Sequence, residues 1–508
     1  MLASVRSYGL EGLAGYAVDV EVDVNNGLPG VETVGLASAA TKESKERVRS
    51  AVKNSGFPYP AKRITVNLAP AETKKEGALL DLPIAVGLLV CAESIVGRKY
   101  KDFVIIGELA LNGDLRRVNG IMPLLISAMQ KGERNFIVPS ANAREAGFID
   151  GVNVYAFDSL RDAADFLNGG EAEPVPRIGF DSVRSHASYA VDFSDVRGQV
   201  AAKRALEIAV AGGHNVLMSG PPGAGKTMLA RCVPTIMPDM TFDEAVEVTK
   251  IHSVAGELDD AVGIVTARPF RTPHHTATVP ALIGGGAKAR PGEVSLAHGG
   301  VLFLDEMPEY SRKTLETLRQ PLEDKKVTVS RAARTVEYPA DFMLVASMNP
   351  CPCGNYGSRT RECTCTAAQI YAYTSKISGP LLDRIDLRVE VDGVEYAELR
   401  GEERGETSAE VKARVERARE IQRERFAGGR VRTNSQMGSK EIEKFCALNA
   451  DGERLLERAF SKMGLTARGA VRILKVARTV ADLEGSAGIK AAHVAEAIKY
   501  RSAERSGV

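Results

Sequence analysis

The sequence predicts an α/β fold centred on a doubly wound parallel sheet that carries a phosphate-binding loop. Three adjacent segments indicate this: residues 214–219 are apolar enough for a buried strand, residues 220–227 match G-x-x-x-x-G-K-S/T, and residues 228–231 are typical of a helix start. Continuous apolar runs at 300–304 and 342–347 are typical of parallel strands that are covered on both faces. With 508 residues, the chain is too long for one hydrophobic core, so several domains are expected.

The N-terminal third of the chain alternates short strands and helices, which predicts an α+β domain. Period-two alternation at 16–24 is typical of a half-buried strand. Further strands are predicted at 63–68 and 103–107, and helices at 44–52 and 120–130.

Changes in composition divide the chain into four segments. A stretch rich in Gly, Glu and Pro at 169–176 indicates a linker, and helical patterns dominate at 402–425 and after 439. We therefore predict an α+β domain at 1–168, a linker at 169–190, the sheet with the phosphate loop at 191–392, and a helical domain at 393–508.

Composition limits the classes of function. The net charge is only +1 and Trp is absent, so any nucleic-acid contact must come from local basic patches. The N-terminus has no signal-peptide pattern, and the most apolar run, at 78–91, is interrupted by Asp81 and Pro83 and is too short for a bilayer. We expect a cytoplasmic protein without a membrane partner.

The phosphate loop predicts ATP and Mg²⁺ as cofactors. Its backbone N–H groups and the N-terminus of the following helix attract phosphate oxygens. Lys226 is expected to reach the β- and γ-phosphates, and the Thr227 hydroxyl to bind magnesium. The alternative is a chance turn rich in Gly and Pro. The predicted nucleotide-binding residues of the loop are Gly220, Pro221, Pro222, Gly223, Ala224, Gly225, Lys226 and Thr227.

Polar residues at the ends of the next strands predict the hydrolytic groups. Asp305 and Glu306 follow an apolar strand in the Walker B arrangement, in which Asp305 holds magnesium and Glu306 orients and deprotonates water. Asn349 follows the next strand and is a candidate for positioning that water. The alternatives are an ordinary acidic strand end and, for Asn349, a turn before proline.

Arginines late in the chain are candidates for a contact with the γ-phosphate. Arg384 is placed between acidic residues and is our candidate for a group supplied to a neighbouring subunit. A local ion pair with Asp386 or a salt bridge at a helix end is the alternative. Arg468 opens a helix in the C-terminal segment, with Arg472 as its competitor.

Together these motifs resemble the magnesium-chelatase-like branch of the AAA+ ATPases, and the bacterial ComM/YifB family in particular. The resemblance implies a hexameric ring, and a DNA helicase that promotes branch migration on single-stranded or branched DNA in natural transformation. It makes Asn349 sensor 1, Arg384 the arginine finger, Arg468 sensor 2 and residues 393–508 a lid. A protein-remodelling ATPase like the magnesium-chelatase motor subunit is the alternative. The motifs that carry the resemblance lie at 195–199, 205–209, 270–275, 291–298, 381–386 and 477–483.

The N-terminal domain resembles the proteolytic domain of Lon, with two departures. The segment at 74–81 aligns with the Lon segment that holds the nucleophilic serine, and Leu79 takes that position. The segment at 107–122 aligns with the one that holds the catalytic lysine, and Met122 takes that position. Because neither side chain can serve as nucleophile or base, we expect no peptidase activity through this dyad.

Four cysteines form the pattern C-x-C-x9-C-x-C directly after Asn349. Four thiolates at short spacing suit tetrahedral Zn²⁺. Reduced, unligated thiols and a labile disulfide pair are the alternatives. The candidate zinc ligands are Cys351, Cys353, Cys363 and Cys365.

Residues 322–334 are predicted to form a hairpin with basic residues. A comparable hairpin in the minichromosome-maintenance helicases grips DNA phosphates in the central channel. The alternative is a solvated basic face. The candidate DNA contacts are Lys325, Lys326, Arg331 and Arg334.

Overall fold

Apolar runs with alternating or continuous patterns form the strands of this protein, and amphipathic runs form most of its helices. The computed structural model describes the chain except residues 36–38, 74, 76, 185–188, 287–288, 332–333, 359–360, 394–404 and 503–508, and except the side chains of 39–42, 331, 334 and 502. The chain divides into two compact units.

The strands are β1 (Leu2–Glu11), β2 (Ala14–Asn25), β3 (Gly30–Val34), β4 (Arg63–Ala69), β5 (Val104–Ile105), β6 (Glu108–Leu109), β7 (Leu115–Arg116), β8 (Asn135–Pro139), β9 (Asn153–Phe157), β10 (Val216–Ser219), β11 (Phe270–Arg271), β12 (Gly284–Gly285), β13 (Arg290–Pro291), β14 (Val301–Leu304), β15 (Lys326–Arg331), β16 (Arg334–Pro339), β17 (Met343–Met348) and β18 (Leu387–Glu390).

The helices are α1 (Ala39–Asn54), α2 (Asp81–Cys91), α3 (Ile121–Gln130), α4 (Ala143–Ala146), α5 (Leu160–Leu167), α6 (Phe180–Arg184), α7 (Val200–Gly212), α8 (Lys226–Ile236), α9 (Phe242–Ala255), α10 (Val279–Ile283), α11 (Glu293–Leu296), α12 (Arg312–Glu316), α13 (Arg319–Asp324), α14 (Ala367–Thr374), α15 (Gly379–Leu382), α16 (Ser408–Arg425), α17 (Ser439–Phe445), α18 (Ala450–Met463), α19 (Ala467–Leu483) and α20 (Ala491–Ser502). Each helix of this described part is too short or too polar to span a lipid bilayer.

The first unit, Met1–Ala187 with Thr241–Thr266, is an α+β domain. Its main sheet has the order β1-β2-β4-β3, in which only β3 and β4 pair in parallel. The alternation in β2 buries Val18, Val20 and Val22, and helices α2 and α3 pack on this sheet. A parallel sheet of β5, β8 and β9 and a hairpin of β6 and β7 complete the unit.

Helix α9 belongs to this first unit although it follows the phosphate loop in the sequence. Thr241 and Glu244 form a capping box at its N-terminus. Near its C-terminus, the Ser253 hydroxyl donates to the buried Glu145 carboxylate at 2.5 Å and accepts from the Gly120 N–H at 3.0 Å. These buried polar contacts fix the helix within the unit. The domain boundaries at 168, 190 and 392 stay predictions.

The second unit, Ser188–Met240 with Ala267–Val508, contains a five-stranded parallel sheet of order β11-β14-β17-β10-β18. Strand β17 therefore lies between β10, which leads into the phosphate loop, and β14, which leads into the acidic pair. Because all these strands are parallel, their carboxyl ends meet at one edge of the sheet, where ligands of such folds bind. The α/β fold class is confirmed.

The C-terminal helices share a hydrophobic core with this sheet. Helix α16 packs on α7 and α8, and α19 packs on α7. Buried polar contacts join the layers: the Gln422 side chain donates to the Ala211 carbonyl at 2.9 Å, and the His214 imidazole lies 2.8 Å from the Thr479 hydroxyl.

Candidate functional site

The phosphate loop turns from β10 into α8 over residues 220–225. The Gly220 N–H donates to the Met348 carbonyl at 3.2 Å, and its backbone approaches Val391 so closely that a side chain there would overlap the carbonyl oxygen. Gly225 takes the left-handed conformation (φ 84°) just before α8 begins at Lys226. The first N–H groups of the helix thus face the loop, as an anion site requires.

The Lys226 ammonium crosses the mouth of this loop. Its Nζ donates to the carbonyls of Gly220 at 2.6 Å and Pro221 at 2.8 Å, and to Asn349 Oδ1 at 3.2 Å. Burial lowers its pKa, while the carboxylates of Asp305 and Glu306 act in the opposite direction. These neutral oxygen acceptors are ones that phosphate oxygens can replace, so the loop fits a nucleotide polyphosphate.

Thr227 and Asp305 meet at the first turn of α8. Thr227 Oγ1 donates to Asp305 Oδ2 at 2.8 Å. Two adjacent oxygen ligands of an octahedral Mg²⁺, each about 2.1 Å from the ion, lie about 3 Å apart. The two side chains therefore fit neighbouring positions in the coordination sphere of one magnesium ion.

Ser347 supports the acidic pair, and the sequence analysis missed it. Its fully buried hydroxyl donates to Asp305 Oδ1 and accepts from the Glu306 N–H at 3.1 Å. The Glu306 N–H also lies 3.1 Å from Asp305 Oδ1. Glu306 itself is exposed and takes the left-handed conformation (φ 51°), a costly choice for a residue with a side chain. This turn exposes its carboxylate at the edge of the sheet.

The carboxyl edge of the sheet thus gathers five of the predicted residues. Direct side-chain contacts join Lys226 to Asn349 and Thr227 to Asp305. Glu306 is held beside Asp305 by its backbone. The position of Asn349 follows from β17 lying between β10 and β14.

Arg384 lies at the opposite edge of the same sheet. The N–H groups of Asp386 and Leu387, which follow it, both donate to the carbonyl of Asn215, the residue before β10. The length of β10, about 13 Å at 3.3 Å per residue, therefore separates this edge from the phosphate loop. Arg384 is buried, and its guanidinium binds the Pro380 carbonyl at 2.7 Å and Glu323 Oε1 at 2.5 Å.

Arg468 and Arg472 lie on the first turns of α19, near the edge that holds Arg384. Arg472 forms an ion pair with the buried Asp386, and its charge helps to hold the pKa of that carboxyl low against the opposing effect of burial. Arg468 is exposed, and its charge contributes, with that of Arg384, to lowering the pKa of Glu323. Arg384 therefore binds a carboxylate on which the charge of Arg468 also acts, and Arg384 lies away from the phosphate loop of its own chain.

Three family descriptions match successive parts of the chain. "Subunit ChlI of Mg-chelatase" matches residues 20–142. "Magnesium chelatase, subunit ChlI" matches residues 192–399, and "Magnesium chelatase, subunit ChlI C-terminal" matches residues 405–501.

The similar proteins include some that match over nearly the full length and some that match only part of the chain. The Competence protein ComM of Haemophilus influenzae is 46% identical over 509 residues, which cover 99% of this chain and 98% of that protein. The chain belongs to the ComM/YifB family. The protein YifB of Escherichia coli is 43% identical, with 99% of this chain and 98% of that protein covered. Lon protease 2 of Bacillus subtilis is 30% identical over 187 residues, 32% of this chain and 33% of that protein.

Membership of the ComM/YifB family, within the magnesium-chelatase-like AAA+ proteins, implies a phosphate-loop ATPase that uses ATP and Mg²⁺. AAA+ proteins are typically oligomeric. The N-terminal similarity to Lon is confirmed. At the two positions predicted to align with the Lon dyad, the Leu79 side chain is half-buried and Met122 is fully buried in this ComM/YifB chain.

The four cysteines of this ComM/YifB chain come together between β17 and α14. Cys351 Sγ lies 3.3 Å from Cys353 Sγ and 3.6 Å from Cys363 Sγ, and the latter two are 3.6 Å apart. With Cys365, all four sulfurs lie within 4.8 Å of one another. Cys351 is buried and the other three are half-buried.

A basic hairpin forms in this ComM/YifB chain, but the predicted bounds of 322–334 were wrong: β15 and β16 pair from Lys326↔Pro339 to Arg331↔Arg334, and residues 322–324 belong to helix α13. Lys325 and Lys326 lie at its base, where they pair with Asp341 at 3.2 Å and Glu337 at 2.8 Å. Arg331 and Arg334 are the last paired residues at the tip; their side chains lie outside the described part of the chain. The hairpin therefore separates the four candidate DNA contacts into two at the base and two at the tip.

Proposed function

We propose that this chain is the subunit of a ring-forming, ATP-hydrolysing motor that acts on DNA in the cytoplasm. Its action is that of a helicase or branch-migration translocase, in recombination during natural transformation. The 46% identity to a competence protein over the full length supports the setting. The observation that carries the proposal is the division of the hydrolytic groups between opposite edges of one sheet.

At the carboxyl edge, each side chain has a role that its contacts support. Lys226 exchanges the carbonyls of Gly220 and Pro221 for phosphate oxygens. Thr227 and Asp305 would hold a magnesium ion, which would supply positive charge beside the phosphates. Glu306 accepts the proton of the attacking water, and Asn349 orients that water.

At the opposite edge, Arg384 and Arg468 act on the nucleotide of a neighbouring subunit. A strand length of about 13 Å separates Arg384 from its own phosphate loop, so contact in trans is the arrangement open to it. A heterologous contact of this kind, repeated, closes into a ring, for which we propose six subunits. Arg384 must leave Glu323 to reach the neighbouring nucleotide, so its release accompanies assembly of the active interface.

The hairpin of β15 and β16 is the proposed DNA contact. The five residue steps from Lys326 to Arg331, at about 3.4 Å each, carry the tip about 17 Å from the base. We assign the contact with DNA phosphates to Arg331 and Arg334, the residues at the tip, and this contact would make binding depend on salt concentration. Lys325 and Lys326 are already paired with carboxylates, and we assign them to holding the base of the hairpin.

ATP turnover with and without single-stranded and forked DNA, measured across a salt series, tests this function. We expect both DNAs to stimulate turnover and the stimulation to fall as salt rises. Glu306→Gln is expected to bind ATP without hydrolysing it. An active ATPase that neither binds nor responds to DNA at any salt concentration would favour a protein-remodelling motor instead.

We further propose Zn²⁺ as the ligand of the cysteine cluster. Four sulfurs around a tetrahedral zinc, each about 2.3 Å from it, lie about 3.8 Å apart, close to the 3.3–3.6 Å separations of Cys351, Cys353 and Cys363. A four-iron cluster needs more widely spaced thiolates, since each binds a different iron. Elemental analysis should find one zinc per chain in the wild type and much less after Cys353→Ser.

A further inference from the structure

We propose that the zinc-bound segment braces the phosphate loop, so that the metal controls how tightly the chain binds nucleotide. The inference rests on the proposed function, with ATP at the phosphate loop and Zn²⁺ at the four cysteines. It adds a link between the two sites that neither motif contains by itself.

The first point of contact is Gly354, which packs against Pro222 of the phosphate loop. A Cβ built on Gly354 would lie 2.5 Å from Pro222 Cδ and 3.2 Å from Cγ, so the Gly354 backbone packs on the proline ring with no room for a side chain. Gly354 is also left-handed (φ 79°), and its N–H donates to the Cys351 carbonyl at 3.0 Å. The turn that presents Cys351 and Cys353 to the metal therefore also supports the phosphate loop.

The second point of contact is Asn349, two residues before the first cysteine. Its side chain accepts from the Lys226 ammonium at 3.2 Å. Its backbone lies near the hydroxyl of the buried Tyr373. Tyr373 is on α14, the helix that begins just after the last cysteine, where Thr366 and Gln369 form a capping box.

The four thiolates thus join the two ends of a segment that contacts the phosphate-binding residues twice: at Pro222 through Gly354, and at Lys226 through Asn349. One end leaves Asn349 and carries Cys351, and the other carries Cys365 into α14. Because the free energy of metal binding at such a site is used to order the chain around it, the turn at Gly354 is expected to depend on the metal. Loss of the metal then loosens Pro222 and Asn349 together.

Two glycines of this segment give a matched test that leaves every thiolate in place. Gly354→Ala introduces the overlap with Pro222, whereas Gly357→Ala imposes the same left-handed strain (φ 75°) with no atom within 4 Å of the new methyl group. We expect Gly354→Ala to keep its zinc and to bind a fluorescent ATP analogue about tenfold more weakly. We expect Gly357→Ala to keep both zinc and affinity.

A second pair of variants tests the metal directly. Cys353→Ser is expected to lose zinc and nucleotide affinity together, while Cys91→Ser, outside the cluster, is expected to change neither. Circular dichroism confirms that each variant is folded. Wild-type nucleotide affinity in a folded Cys353→Ser protein without zinc, or in Gly354→Ala, would overturn the inference. A wild type that binds no nucleotide would instead overturn the proposed function.

Discussion

Replacing Ser347 by alanine tests how the acidic pair is held. The hydroxyl is fully buried and contacts both Asp305 Oδ1 and the Glu306 N–H. Alanine fits the same space, so the change removes the hydroxyl without inserting new atoms. The Glu306 N–H keeps its second acceptor, Asp305 Oδ1 at 3.1 Å, so it is not left unpaired. The change therefore removes two hydrogen bonds, and the one to the charged Asp305 is the one left without a replacement.

Such a bond contributes about 1.5–3 kcal/mol. If the geometry of the pair is needed mainly in the transition state, this corresponds to about a ten- to hundredfold loss in kcat. Within the described part of the chain, the Ser347 hydroxyl contacts Asp305 and Glu306, whereas Lys226 contacts the carbonyls of the phosphate loop, so nucleotide affinity without magnesium is expected to stay unchanged.

Steady-state ATP turnover and the binding of a fluorescent ATP analogue with and without Mg²⁺ measure these quantities. Ser7→Ala is the control, because Ser7 is also a fully buried serine on a strand, and its hydroxyl has no hydrogen-bond partner in the described structure. Turnover by Ser347→Ala within about twofold of wild type would show that the hydroxyl does not position the acidic pair.

Three other predictions concern assembly, pH and DNA. Arg384→Ala should bind ATP without turning it over, and mixing it with inactive Lys226→Ala should restore part of the turnover; no recovery would contradict contact in trans. Burial lowers the pKa of His214, so the unfolded chain takes up this proton first and the free energy of unfolding should fall as pH drops below about 6.5, by up to about 1.4 kcal/mol per pH unit. Denaturant titrations of His214→Gln should lack this slope; an unchanged slope would assign it to other groups. Arg331→Ala should lose DNA-stimulated turnover in the same assay in which Lys326→Ala retains it, and equal losses would contradict the assignment of the tip.

The sequence predicts best what contiguous residues determine. The phosphate loop and the Asp305–Glu306 pair are local patterns, so their chemistry could be predicted without knowledge of the fold. That Asn349 lies close to the acidic pair and the phosphate loop could also be predicted. Parallel strands end at a common edge, and in a doubly wound sheet the strand before Asn349 can lie between the strands that lead to the other two motifs, as β17 does.

Partners chosen by tertiary structure could not be predicted. Ser347 reaches Asp305 because β14 and β17 pair with Leu304 opposite Ala346, a register that no local pattern reveals. Arg384 stands between Asp383 and Asp386 in the sequence, yet its guanidinium binds Glu323, while Asp386 pairs with Arg472. Which carboxylate an arginine meets depends on the packing of helices distant in sequence.

For a similar reason, the sequence did not predict that α9 belongs to the first unit. Its pattern is that of an ordinary amphipathic helix after the phosphate loop, and only the buried contacts of Ser253 with Glu145 and Gly120 attach it to the first unit. The basic hairpin is a further example. Lys325 and Lys326 lie close to the arginines in the sequence, but the pairing of β15 with β16 puts the lysines at the base of the hairpin and the arginines at its tip.

The most direct test of a DNA motor is ATP-dependent displacement of a labelled strand from a forked or four-way junction by the purified protein. We expect displacement by the wild type with ATP and Mg²⁺, and none by Glu306→Gln, which keeps the nucleotide site but lacks the proposed base. A wild-type protein that hydrolyses ATP and binds the junction, yet displaces no strand, would contradict it.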